Sequence, residues 1–207
     1  MKIIVTLLIA LAMPLLAQAE SEWVLFGQGM FPQSDAYTAG YGGGIQYRTP
    51  APLLPETQLG LSIGYGGWNV KDWGYDGLLG MTLDGTAADL PLGASLIYSF
   101  RPADRLKIGL EGGFQYHLVQ SDCDLNIYRI MWWPVNITNE LEIDNVWTAS
   151  LGLNVEYEIA PLTSLLLGAG YAWDLDRENF KVLGFELPLE QGFGGGFLRA
   201  GMVFMIP

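Results

Sequence analysis

Arg105 to Leu118, RLKIGLEGGFQYHL, is polar or small at its odd positions and, Gly112 apart, apolar at its even ones. Arg105, Lys107, Gly109, Glu111, Gly113, Gln115 and His117 alternate with Leu106, Ile108, Leu110, Gly112, Phe114, Tyr116 and Leu118. Successive side chains of a strand point to opposite faces, so a strand sorts the two classes, whereas a helix would scatter both around its circumference. What remains to be decided is whether the apolar face meets a protein core or lipid.

The same two-residue rhythm recurs along the chain. It runs through Ala39–Arg48, Gln58–Gly66, Leu90–Phe100, Trp147–Ile159, Ser164–Trp173 and Leu198–Ile206, with a weaker strand at Trp23–Met30. With the opening stretch this makes eight strands, and their connections alternate in length. Thr49–Glu56, Arg101–Asp104 and Ala160–Leu162 are short and contain proline, while Asn69–Asp89, Val119–Asn145 and Asp174–Gly194 are long. Only the first connection on the long side, Phe31–Tyr37, is short. An up-and-down meander puts successive turns at opposite ends, so the short turns fall on one side and the long loops on the other, as in outer-membrane barrels. Aromatic residues gather at both ends of the apolar band: Tyr47, Tyr98, Phe100 and Tyr157 beside the short turns, Phe114, Tyr116, Trp147, Tyr171 and Trp173 beside the long loops. Two such rings make an interfacial girdle, because an indole or phenol is apolar in body and polar at its tip. A soluble eight-stranded barrel would instead turn its apolar face inward around a ligand.

Composition agrees with lipid. Half the residues are hydrophobic and only 15% are charged, with a mean hydropathy of +0.25. The chain opens MKIIVTLLIALAMPLLAQA, with a cation at Lys2, an apolar run from Ile3 to Met13 and the small-x-small ending Ala17-Gln18-Ala19. That pattern predicts a secretory signal over residues 1–19, cleaved before Glu20, and a single barrel domain over 20–207. After Ala19 no apolar stretch is long enough for a spanning helix. The single cysteine, Cys123, has no intramolecular disulfide partner and is expected to be a buried filler or a loop thiol.

These features resemble a small outer-membrane β-barrel of the OmpA/OmpX type. The resemblance is one of architecture and covers nearly all of the mature chain, without a family-specific motif. It implies an all-β, eight-stranded antiparallel up-and-down transmembrane barrel in a bacterial outer membrane, surrounded by lipid and lipopolysaccharide and inserted by the barrel assembly machinery. Barrels of this group often end in an aromatic residue that the machinery recognises. Here the chain ends Phe204-Met205-Ile206-Pro207, with Ile206 in the terminal outward slot.

An eight-stranded barrel is about wide enough to be filled by side chains. The inward charges Arg48, Arg105, Lys107, Glu111, Glu156, Glu158 and Arg199 are therefore expected to form an interior ion-pair network, since buried charges are tolerated only when paired. Arg105 and Lys107 should approach Glu156 and Glu158, and Glu111 should be answered by Arg199. The inward glycines, among them Gly42, Gly60, Gly64, Gly152, Gly168 and Gly170, either leave the upper lumen open to water or a small ligand or admit large neighbours into a narrow barrel. Close packing is the preferred expectation.

The precursor carries a formal net charge of -12, and its acids concentrate in the long connections. Such a rim disfavours nucleic acid. Asp122, Asp124, Glu140, Glu142 and Asp144 are candidate oxygen ligands for a divalent cation, although no EF-hand spacing is present. Asp89 and Asp174 are expected in the same solvated rim. Met131-Trp132-Trp133-Pro134 forms an apolar knot in the longest connection, suited either to docking on a partner or lipid or to folding on itself. His117 is the sole histidine, with Ser121 and Asp122 close after it, and would be the base of any lipid hydrolase or acyltransferase. Its inward orientation argues against catalysis, and no cofactor motif appears. The expected role is structural or adhesin-like, carried by the outer loops. The alternative is a narrow channel or carrier through the glycine-lined lumen.

Overall fold

The computed structural model describes residues 21–33, 37–52, 54–76, 79–140, 145–176, 178–182, 185–191 and 193–206. The signal sequence predicted over 1–19 lies outside them. Eight long strands form the barrel wall: β1 (Ser21–Pro32), β2 (Gly40–Pro50), β3 (Thr57–Asp76), β4 (Leu79–Ala103), β5 (Leu106–Ile130), β7 (Val146–Ala160), β8 (Thr163–Asp174) and β11 (Gly195–Ile206). A short β6 (Trp133–Glu140) stands between β5 and β7 in the chain and pairs with β5.

Each barrel strand is antiparallel to both of its neighbours. The order β1-β2-β3-β4-β5-β7-β8-β11 closes through twelve register pairs between β11 and β1, from Ser21↔Ile206 to Pro32↔Gly195. A further hairpin, β9 (Glu178–Val182) and β10 (Phe185–Gln191), forms its own two-stranded sheet.

Polarity is inverted relative to a soluble barrel. Ile63, Leu110, Leu151, Leu153, Leu167 and Leu198 stand exposed on the outer wall, whereas Gln46, Arg48, Glu111, Asn154, Glu156 and Arg199 are buried within. A contiguous apolar exterior of this size is untenable in water and is what a closed sheet presents to hydrocarbon, because closure satisfies every backbone hydrogen bond within the wall. Ile206 takes the last outward position, opposite Ser21. Tyr98, Phe100, Tyr157 and Phe204 at the short-turn end, and Phe114, Trp147 and Trp173 toward the other, are exposed at the edges of the band. Tyr47 departs from that girdle: it is buried, its hydroxyl 2.8 Å from Ser21 Oγ and its ring 5.1 Å from that of Trp23, which covers it.

The long connections are mostly strand, which corrects the expectation of loops. β3 continues to Asp76 and β4 begins at Leu79, so most of Asn69–Asp89 is sheet; β5 continues to Ile130 and β6 pairs back onto it. The span Asp174–Gly194 contains β9 and β10. Beyond the lipid the wall keeps its hydrogen-bonded ladder but has water outside, so the outward positions turn polar and the apolar-out rhythm that marks the membrane part disappears.

Candidate functional site

The interior is filled at two levels by different chemistry. At the short-turn end, Arg48 Nη1 lies 2.5 Å from Glu156 Oε1 and 3.7 Å from Glu22 Oε2. Lys107 Nζ donates to both Glu22 oxygens at 3.0 and 3.2 Å, to Gln58 Oε1 at 3.3 Å, and lies 3.2 Å from Glu156 Oε2. One step up, Glu111 accepts from Gln46 Nε2 and Asn154 Nδ2, both at 2.7 Å, and from Arg199 Nη1 at 3.2 Å. Arg48 Nε donates to Gln46 Oε1 at 2.7 Å and so joins the two groups. The Arg199 guanidinium sits 4.4 Å from the centre of the Phe26 ring, in cation–π range. In a low-dielectric lumen each of these charges meets an opposite one, and Arg48, Lys107, Glu111 and Arg199 also have amide partners.

Of the seven charges expected in the lumen, Arg48, Lys107, Glu111, Glu156 and Arg199 lie in this network. Arg105 is exposed in the β4–β5 turn, and its carbonyl accepts the Glu158 N–H at 2.9 Å, so these two residues meet through backbone rather than through an interior ion pair. Glu22 also belongs to the network, and the sequence reading, which begins its first strand at Trp23, does not include it; counting two back from Val24 on the inward face finds it. Gln46 and Asn154 also act here as neutral bridges. The glycines make room for them: a Cβ on Gly168 would overlap Asn154 Oδ1, and one on Gly66 would overlap Asp89 Oδ1.

Higher up, the lumen becomes aromatic. Tyr37, Trp68, Val70, Ala87, Cys123, Ile127, Val146 and Phe193 form one buried apolar cluster. Phe193 stacks on Tyr37 with ring centres 5.2 Å apart and on His117 at 5.5 Å, with Trp68 tilted against it at 5.2 Å. Its placement is set by backbone: Phe193 N and Gly194 N donate to Asp174 Oδ1 at 2.9 and 2.8 Å, and Gln33 N donates to Gly194 O at 2.8 Å. Asp174 is thus a loop clamp. Burial raises the Tyr37 phenol above its ordinary value, and Cys123 and Asp174 act in the same direction, so the cluster stays uncharged. The expectation that Cys123 is a buried filler or a loop thiol resolves to burial in this cluster.

Between the two levels lies a hydrogen-bonded group centred on His117. His117 Nδ1 is 2.5 Å from Asp89 Oδ2, His117 Nε2 is 3.1 Å from Thr148 Oγ1, and Trp68 Nε1 donates to Asp89 Oδ1 at 3.2 Å. Asp89 is therefore a buried wall residue, not part of a solvated rim, because Leu90 faces outward and its neighbour must face in. Asp122 faces the opposite side of β5 from His117 and is exposed, which removes it as a partner for the imidazole. Acid, imidazole and hydroxyl in a row invite comparison with a hydrolase relay. Here Thr148 is fully buried and the imidazole, buried as well, lies stacked against Phe193.

Asp122 and Asp124 are exposed on β5, and Asp124 pairs in register with Asp84 and Glu140. Glu142 and Asp144 lie outside the described residues. Among the described residues no three His, Cys, Asp or Glu side chains are grouped to hold a metal ion. At the end of β5 the apolar knot is open to solvent, with Trp132 87% and Trp133 75% exposed.

No protein-family model and no curated sequence matches the chain. Solved structures do. The outer membrane protein OprG of Pseudomonas aeruginosa superposes with a TM-score of 0.58 at 10% identity, over 91% of this chain and 97% of that one. A major outer membrane protein of Thermus thermophilus gives 0.54 at 16% identity, over 90% and 99%. At such identities the likeness speaks for the fold: this is an eight-stranded antiparallel barrel resembling known outer-membrane barrels. With its apolar exterior, that fold is one that spans a membrane as a closed barrel.

Proposed function

We propose that this protein is a closed barrel whose task is structural and adhesive: the wall anchors a rigid extension of β4, β5 and β6 that presents its tip to the outside. The reading rests on one observation above the others, that the lumen is occupied twice over, by the ionic network below and by the Phe193 cluster above. In this reading the ion pairs brace a narrow wall, and neither they nor the His117 group perform chemistry. The outer wall contacts lipid and lipopolysaccharide, and insertion depends on the barrel assembly machinery. The acidic positions of the extension serve solubility rather than a dedicated cation site.

Planar-bilayer recording separates this role from a channel. The purified barrel is expected to show no unitary conductance, and neither Glu111→Gln nor Phe193→Ala alone should open it, because each leaves the other plug in place. Steady single-channel steps from the unaltered protein would sink the proposal in favour of transport through the lumen.

A further inference from the structure

The tip of the extension has an unusual combination of features. Ile130, Met131, Trp132 and Trp133 are all exposed, two of them indoles with most of their surface in water. They are nevertheless held in place: Ile130 pairs with Trp133 across the hairpin and with Leu79 on the other side. Met131 sits at a φ of 54°, a left-handed conformation that a glycine or asparagine would adopt with less strain. A turn chosen for local ease would not carry methionine there. The flanking sheet holds a strained turn that projects large apolar side chains.

What covers them is narrowed by distance, area and charge. Leu118 is the last outward residue of the apolar band on β5; above it come Gln120, Asp122, Asp124 and Asn126, and then, directly below the tip, the exposed Tyr128. At about 3.3 Å per residue and a tilt near 40°, Ile130 stands roughly 30 Å beyond Leu118, so the barrel's own bilayer does not reach the tip. A stable protein interface, including one with a second copy of this chain, takes about 800 Å² per partner and some twenty residues, far more than four side chains supply. A bilayer surface makes no such demand: tryptophan partitions into the interfacial layer one side chain at a time. The exposed Asp122 and Asp124 on the stem, and the formal charge of -12, repel an anionic surface.

We infer that the Trp132–Trp133 tip is a wedge for the headgroup layer of an apposed zwitterionic phospholipid membrane. The inference rests on the surface-presenting role proposed above and names its partner. The test uses the whole barrel held in amphipol and vesicles of phosphatidylcholine. Binding should blue-shift tryptophan emission, and the W132A/W133A variant should lose affinity by about 100-fold, roughly tenfold for each indole. Phosphatidylglycerol added to the vesicles should weaken binding, more so at low salt. Both side chains are solvent-exposed, so heat-modifiable gel mobility should confirm that the variant still folds. Equal vesicle affinity of the variant, or no binding by the unaltered protein, overturns the inference. A second arm separates that failure from failure of the adhesive role, using cells that display the barrel on lipid-coated and protein-coated surfaces. Tip-dependent adhesion to protein alone would sink the lipid inference and leave the adhesive reading standing. Adhesion no better than that of cells lacking the barrel would remove both.

Discussion

The lower and upper halves of the lumen solve the same packing problem with opposite materials. Around Glu111 and Glu156 the space is filled by charges and amides that satisfy one another across the barrel; around Phe193 it is filled by stacked rings and aliphatic groups. The lower half is encircled by hydrocarbon, where the wall is rigid and every inward group is fixed by strand register. The upper half stands in the water-surrounded part, where a loop must be drawn in to close the top, and hydrophobic burial drives that without exact polar matching. Polarity inversion thus belongs to the membrane layer alone. Above it the same strands revert to an apolar interior.

The largest way to break the lower half is Glu111→Leu. It removes the acceptor for Arg199, Gln46 and Asn154 together and strands a buried guanidinium, which should cost about 3–5 kcal/mol. Urea unfolding in detergent micelles checks it, and an unchanged midpoint would mean the network carries little of the stability. Phe193→Ala tests the upper half. We expect about 3 kcal/mol lost from the aromatic cluster, seen as a weaker near-ultraviolet dichroism, with heat-modifiable mobility of the barrel preserved. Loss of barrel mobility as well would show the two halves to be one cooperative unit.

Alkali gives the smallest and sharpest distinction. The Tyr37 phenol is raised from 10.0, so the folded cluster holds it neutral where an unfolded one would ionise. Its contribution is complete below pH 10 and is lost as pH rises through the higher folded value. Near-ultraviolet dichroism should therefore begin to fall above pH 10 earlier in unaltered protein than in Tyr37→Phe. Coincident curves would mean that Tyr37 does not couple the cluster to pH.

Legibility from sequence followed the two-residue rhythm. Where lipid lies outside and polar groups inside, as in Arg105–Leu118, alternation announced the strand, its face and the inward Lys107 and Glu111. Asp89 lies just before Leu90, the first apolar residue of its membrane segment, where the rhythm fades and its inward face is not legible, and nothing local marks Phe193, a loop aromatic, as an inward plug. The paired Ser121 and Asp122 looked like neighbours for His117 in the chain, yet the partners came from β4 and β7.

The class of fold is legible in the chain alone, since periodicity and hydropathy are one-dimensional signals that a closed sheet in lipid imposes on every strand. That Arg48 joins Glu156 to Gln46, that Glu22 enters the network, that Asp89 and Thr148 flank His117, and that Phe193 stacks over the imidazole follow from the tertiary structure alone. Those contacts cross the barrel between strands remote in the chain, and cross-barrel distance depends on stagger and closure, which no local pattern encodes.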